Sequence, residues 1–230
     1  MAQLPALENF PLKTLNFLKK LSKHNNREWF ESHRDEYNSD FLEPALQLVV
    51  ELGERLPAIT PNIQAIPKID KSIFRLHRDV RFSKDKSPYK TNLGLYFWEG
   101  KKKMDSPGFY FEINTKGFFY GSGIYMPPKE QWKLFRDAVS NPQLGKELDA
   151  AVKKILKKGN YSIGGKKYKK VPKGCDVETP YAEYLLYEGL YAFYESENIN
   201  ELTKADAVDF SFKKFKDMLP VHQWLVKVLG

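Results

Sequence analysis

Asn92-Leu-Gly-Leu-Tyr-Phe-Trp98, Phe109-Tyr-Phe-Glu-Ile-Asn114 and Phe118-Phe-Tyr-Gly-Ser-Gly-Ile-Tyr-Met126 are separated only by short turn-forming segments. In the first, Leu93, Leu95 and Phe97 alternate with Asn92, Tyr96 and Trp98. In the second, Phe109, Phe111 and Ile113 alternate with Tyr110, Glu112 and Asn114. A period of two places one set on a core face and the other on the opposite face, which is the signature of strands. Gly100-Lys-Lys-Lys103 reads as a solvated turn and Asn114-Thr-Lys-Gly117 as a hairpin turn ending in Gly. Strands joined this closely must run antiparallel. Gly121 and Gly123 interrupt the third run, and glycine inside a strand marks a bulge or the close approach of another backbone or a ligand.

Helical patterns lie on both sides of this meander. Pro11 to Ser22 carries Leu15, Leu18 and Leu21 at three-residue spacing; Asn26 is placed to cap a second helix, and Glu43-Pro44 opens a third. Downstream, Pro127-Pro128 and Asn141-Pro142 open two further helices, and Gly159 closes the second of them. Tyr161 to Lys173 reads as a lysine-rich hairpin, Pro180 to Tyr187 as a short helix and Leu190 to Tyr194 as a strand. Thr203-Lys-Ala-Asp206 has the form of a capping box before terminal helices that carry Phe210, Phe215, Met218, Leu225 and Leu229. Neither a repeat nor a linker divides the chain. The expectation is one α+β domain over 1–230, with a largely antiparallel central sheet flanked by N-terminal and C-terminal helices.

Immediately upstream of the meander stands Phe74-Arg-Leu-His-Arg-Asp-Val-Arg-Phe-Ser-Lys-Asp-Lys-Ser-Pro-Tyr-Lys90. Its first half reads as a strand, with Phe74, Leu76, Val80 and Phe82 on one face and Arg75, His77, Asp79 and Arg81 on the other. Arg78 falls on the apolar face, where a guanidinium requires a partner, so it reads as structural. A row of cations repels itself unless something neutralises it. From Lys68 to Lys90 only Asp70, Asp79 and Asp85 stand against eight Lys and Arg residues, so the sequence points to a bound anion. Arg75, Arg81, Lys84, Lys86 and Lys90 are the candidate ligand-binding cations, with Tyr89 available to stack or hydrogen-bond. His77 and Asp79 are the candidate acid–base pair, because a carboxylate beside an imidazole fixes its tautomer and working range. The competing reading is an ion-pair network among Arg78, Asp79, Arg81 and Asp85 that only holds strand to loop.

Arg75-Leu-His-Arg-Asp-Val-Arg-Phe-Ser-Lys-Asp-Lys-Ser-Pro-Tyr-Lys-Thr-Asn92 closely resembles the signature of a bacterial and fungal family catalogued as domain of unknown function 2461. Asn26-Arg-Glu-Trp-Phe30, Gly121-Ser-Gly-Ile-Tyr-Met-Pro127 and Pro172-Lys-Gly174 extend the resemblance over most of the chain. In that family Pro-basic-Gly is often followed by Asp-His-Pro, where this chain has Glu178-Thr179-Pro180. The resemblance implies a fold and no activity, so whether the chain is an enzyme stays open.

The 230 residues carry a net charge of +8, unevenly placed. Lysines 153, 154, 157, 158, 166, 167, 169, 170 and 173 crowd a segment without an acid, whereas 176–209 holds nine acids and only Lys204 as a base. Either the basic segment meets nucleic acid, with Tyr161 and Tyr168 to stack on bases, or the two segments neutralise each other. The partners expected are therefore an anionic small molecule or nucleotide, with nucleic acid as the alternative and a purely structural scaffold as the third reading. One cysteine, Cys175, and four unclustered histidines supply no metal site and no disulfide, and no cofactor motif is present. Ser83-Lys-Asp-Lys86 matches the S-x-x-K of acyl enzymes but does not open a helix, and no Lys-Thr-Gly follows. Without a secretory leader or a long apolar run, the expectation is a soluble cytoplasmic protein that does not enter membranes.

Overall fold

The computed structural model describes residues 7, 10–175, 178–203 and 206–230. Its centre is a six-stranded antiparallel sheet in the order β1-β2-β3-β4-β6-β5. The strands are β1 (Ile63–Gln64), β2 (Asn92–Glu99), β3 (Gly108–Asn114), β4 (Phe118–Ile124), β5 (Ser162–Lys166) and β6 (Tyr187–Ser196). The meander expected between Asn92 and Met126 is β2-β3-β4, with Leu95 opposite Phe111 and Phe111 opposite Tyr120.

That register gathers Leu93, Leu95, Phe97, Phe109, Phe111, Ile113, Tyr120, Leu190 and Ala192 on one face, all buried. The 23-residue α8 (Ala207–Leu229) lies across this face. Phe215 packs 4.9 Å from Phe109, His222 stacks at 4.5 Å on the same ring, and Ser211 exchanges a 2.8 Å hydrogen bond with the Tyr120 hydroxyl. Asp206 caps α8 by accepting the N–H groups of Val208 and Asp209. The cap is therefore the last residue of the expected capping box rather than Thr203; Lys204 and Ala205 lie outside the described residues.

The N-terminal helices are α1 (Leu12–Lys23), α2 (Arg27–Ser32), α3 (Arg34–Tyr37) and α4 (Glu43–Arg55). Asn26 caps α2 through the Trp29 N–H, as its position suggested. A π turn, Asn38–Leu42, joins α3 to α4. Thr14 Oγ1 donates to the carbonyl of Asp40 within it at 2.6 Å, tying α1 to the turn. On the C-terminal side, α5 (Lys129–Ser140) and α6 (Pro142–Leu156) pack against α8, with Asn141 capping α6, and the four-residue α7 (Asn200–Thr203) precedes α8.

Two expected elements are replaced. The lysine-rich stretch 161–173 does not pair with itself; its first part is β5, which pairs with β6 across a long connection. The stretch 74–82 is not a central strand. Residues 72–77 run along the outer edge of β2, joined by Phe74 N–H to Gly94 O at 3.0 Å and Tyr96 N–H to Ser72 O at 2.8 Å. Isolated bridges link Ile73 to Leu95 and His77 to Tyr89. Beyond Arg78, whose N–H reaches Pro88 O at 2.8 Å, the ladder stops. Pro88 has no N–H to return. Asp79 and Asp85 also take the N–H groups of Arg81 and Ser87 at 3.2 and 2.9 Å, diverting backbone donors from any further pairing.

Candidate functional site on the open face of the sheet

Among the described residues, no long helix lies across the second face of the sheet. Register places Gly94, Tyr96 and Trp98 of β2 beside Glu112, Tyr110 and Gly108 of β3, then Phe119, Gly121 and Gly123 of β4, then Phe193 and Tyr191 of β6. Glycine and aromatic residues alternate across neighbouring strands, and the rings lie down over the glycines. A Cβ at Gly94 would come within 2.9 Å of the Tyr110 hydroxyl, one at Gly108 within 2.6 Å of the Tyr96 ring, and one at Gly121 within 2.9 Å of the Phe119 ring. The result is a trough of about 460 Å³ lined mainly by Phe74, Tyr96, Tyr110, Phe119, Tyr125 and Tyr191. Met104, Tyr125 and Met126 stand at it more than half exposed. This size and apolar lining fit a small-molecule site.

The polar side chains of the trough are few, and two of them, Tyr110 and Asn92, are held by Glu112, which lies outside its lining. Glu112 accepts from Tyr110 Oη at 2.6 Å, Asn92 Nδ2 at 3.0 Å and Asn114 Nδ2 at 2.9 Å. Burial, reinforced by that carboxylate, raises the Tyr110 phenol well above its usual range, so it remains a neutral donor. Tyr96 Oη donates to Ser106 O at 2.7 Å. Lys90, at the end of the expected motif, lines the trough beside Phe74 and Asn92. Its Nζ lies 5.7 Å from the centre of the Phe74 ring, and Lys103 Nζ lies 3.8 Å from the same centre. Desolvation, then the charge of Arg75, lowers the Lys90 ammonium. Burial, with repulsion from Lys90 and Lys71, brings Lys103 down to about 8. Neither lysine enters an ion pair among the described residues.

The remaining residues of the 75–90 motif separate into three groups. Arg75 is exposed and close enough to Lys90 to repel its proton. Asp79 and Arg81 form a two-pronged pair at 2.9 and 2.7 Å on the surface, and Arg81 above all holds the Asp79 carboxyl below its usual range. Arg78 bonds Asp85, the Ser87 carbonyl and Ser83 Oγ, as a structural residue would; hydrogen bonds from Ser87 and then Arg78 hold Asp85 down to about 2. Asp85, the acid that partners Arg78, is itself exposed. Lys86 Nζ donates to Val80 O at 2.9 Å and Lys84 is exposed. Tyr89 is 3% exposed and stacks on Phe30 at 4.3 Å, while Asn25 bonds both its N–H and its carbonyl. His77 meets the edges of Phe30 and Tyr89 at 6.1 and 5.0 Å and has no hydrogen bond to Asp79, which Arg81 occupies. The fold therefore brings Arg75 and Lys90 to one place and carries Arg81, Lys84 and Lys86 away on the loop.

The lysine-rich segment is partly neutralised from within. Lys166 pairs with Glu183 and Lys167 with Glu188, both acids of the 176–209 stretch. Lys158 pairs with Asp217 and Lys153 with Asp149. Among the described residues no group of His, Cys, Asp and Glu is placed to hold a metal ion, and no helix is long and apolar enough to cross a membrane.

Fold and site define an α+β protein with one sheet face sealed by helices and the other left open as an aromatic trough. Residues 13–224 match the family described as "Conserved hypothetical protein (DUF2461)", and the chain belongs to it. A comparison with curated proteins gave no match.

Proposed function

We propose that the protein binds a small planar molecule carrying an anionic group, with the planar part in the open-face trough and the anion at Lys90 and Arg75. One observation carries this reading: the ammonium of Lys90, which enters no ion pair among the described residues and feels Asp70 and Glu112 only at a distance, lines an aromatic cavity of ligand size. An anion there would restore the electrostatic balance that burial removes from Lys90. The aromatic walls would stack a ring, and Asn92 together with the Tyr110–Glu112 pair would select its polar edge. Aromatic phosphates, nucleotides among them, and aromatic carboxylates have this form. The reading keeps two cations of the sequence motif, Arg75 and Lys90, and assigns no reaction to His77 or Asp79.

The test is a thermal-shift panel of a nucleoside monophosphate, an aromatic carboxylate, the uncharged nucleoside and inorganic phosphate. A binder raises Tm through RT ln(1 + [L]/Kd). Wild type should respond to molecules with both a ring and a charge more than to either half alone. Lys90→Met should lose the preference for the charged form, and Gly121→Leu should lose the response altogether. The reading fails if no compound shifts wild type, or if both variants respond as wild type does.

A further inference from the structure

We propose that loop 78–88 is a contact surface for single-stranded nucleic acid, with Phe82 stacking on a base while Lys84 and Lys86 face phosphates. The proposal is independent of the trough. Phe82 is 95% exposed, the most exposed of the large apolar residues in the described structure. An aromatic ring left in water on a loose loop would be unremarkable, but this loop is braced. Arg78 ties together Asp85, Ser83 and the Ser87 carbonyl, Lys86 reaches back to Val80 O, and the Asp79 and Asp85 carboxylates hold the N–H groups of Arg81 and Ser87. Its base is anchored in the core by Leu76 and Tyr89, each 3% exposed. Pairing Arg78 and Arg81 with Asp85 and Asp79 uses both acids of the loop, so Lys84 and Lys86 enter no ion pair among the described residues. The ring is thus presented on a stiff mount among cations, and ordering it on a partner costs little conformational entropy.

Charge and area select the partner. A second copy inserting Phe82 into the trough would bring this cationic loop against Lys90 and Arg75, which repel it. A membrane surface needs more apolar area than one ring, and the loop's next apolar residue, Val80, is already half-buried. A single strand asks for what is present: one π face for an unpaired base and point charges for the flanking phosphates. The Arg81 guanidinium, already paired with Asp79, sits 5.8 Å from the Phe82 ring centre and adds to the bracing of the loop.

The experiment is fluorescence anisotropy with a labelled short oligopyrimidine strand at low salt, with its duplex and anionic phosphatidylserine vesicles as comparison partners. Wild type should bind the strand in preference to the duplex. Phe82→Ala, at a site that touches no core, should weaken binding roughly five- to 150-fold, the range for loss of one stacked base, while Phe82→Tyr should hold it. Lys84→Ala combined with Lys86→Ala should reduce the salt slope by about 0.7 per lost phosphate contact. Absence of binding to the strand, equal binding by Phe82→Ala, or a Phe82 dependence seen on vesicles and not on the strand would each overturn the proposal.

Discussion

Lys214 of α8 is 7% exposed and has its Nζ 3.1 Å from the centre of the Tyr194 ring, 4.8 Å from Phe210 and 5.6 Å from Tyr161. The nearby carboxylates are committed elsewhere: Glu201 accepts from Tyr194 and Ser196, and Asp217 from Tyr161, Lys158 and Lys213. Desolvation, with repulsion from Lys213, brings the ammonium down to about 8 from 10.5. A base whose folded pKa lies below its unfolded value binds fewer protons folded than unfolded between the two. Stability must therefore rise with pH across that window. For this pair of values the gain reaches about 2 kcal/mol by roughly pH 9.5 and about 3 kcal/mol at its limit. Tyr161 and Tyr194 are both raised, mainly by burial, and pull the other way, but only above about pH 10, where unfolded tyrosine ionises. The assay is urea denaturation of wild type and Lys214→Met from neutral pH to about pH 9.5, since methionine retains the stem and removes the charge. The difference between the two cancels contributions from other groups such as Lys103. It should favour Lys214→Met at neutral pH and shrink by about 2 kcal/mol as pH rises. A difference that is flat in pH would show that Lys214 stays fully protonated in its aromatic cage and would refute the argument.

Glu99 accepts hydrogen bonds from buried His222 and from Thr60, with His222 the larger cause of its lowered pKa. Its contribution should be present above the usual carboxylate range and lost as acid titrates it, and Glu99→Gln, followed by denaturation against pH, should remove that acid limb at a cost of about 1–3 kcal/mol. Gly123 has φ +146°, and a Cβ there would lie 2.2 Å from Leu190 O, so Gly123→Ala should destabilise by more than about 2 kcal/mol in the same assay. Arg78→Ala should lower Tm only slightly, because its partner Asp85 is exposed, while limited proteolysis within 79–88 accelerates; a large loss of Tm with no change in cleavage would contradict this.

The meander was legible because period two survives wherever one face is buried: Leu93, Leu95 and Phe97, like Phe109, Phe111 and Ile113, all fall on the core side. The stretch 74–82 obeys it just as well as far as Val80, yet forms no strand. Alternation reports which side chains are buried, not whether the N–H groups find a ladder, and Pro88, Asp79 and Asp85 decide that. Phe82 shows the limit: pattern assigned it to the apolar face, and it is the most exposed ring of the loop. The trough was half visible. Gly121 and Gly123 signalled a close approach, but that Gly94, Gly108 and Gly121 are crossed by Tyr110, Tyr96 and Phe119 depends on cross-strand register, which no single strand encodes. Lys90 was found for its charge, while Lys103 was passed over as part of a solvated turn; only the fold brings both onto the Phe74 ring.

The glycines under the trough alter what mutagenesis can reveal. Truncation to alanine detects a contact by deleting atoms, and at Gly94, Gly108 and Gly121 there is nothing to delete; any substitution adds atoms to a place already occupied by a ring. A conventional alanine scan would therefore outline the rim and pass over the floor. The informative series runs in the opposite direction, from glycine upward through alanine to valine, adding one carbon and then two more to the trough until it no longer admits a ring.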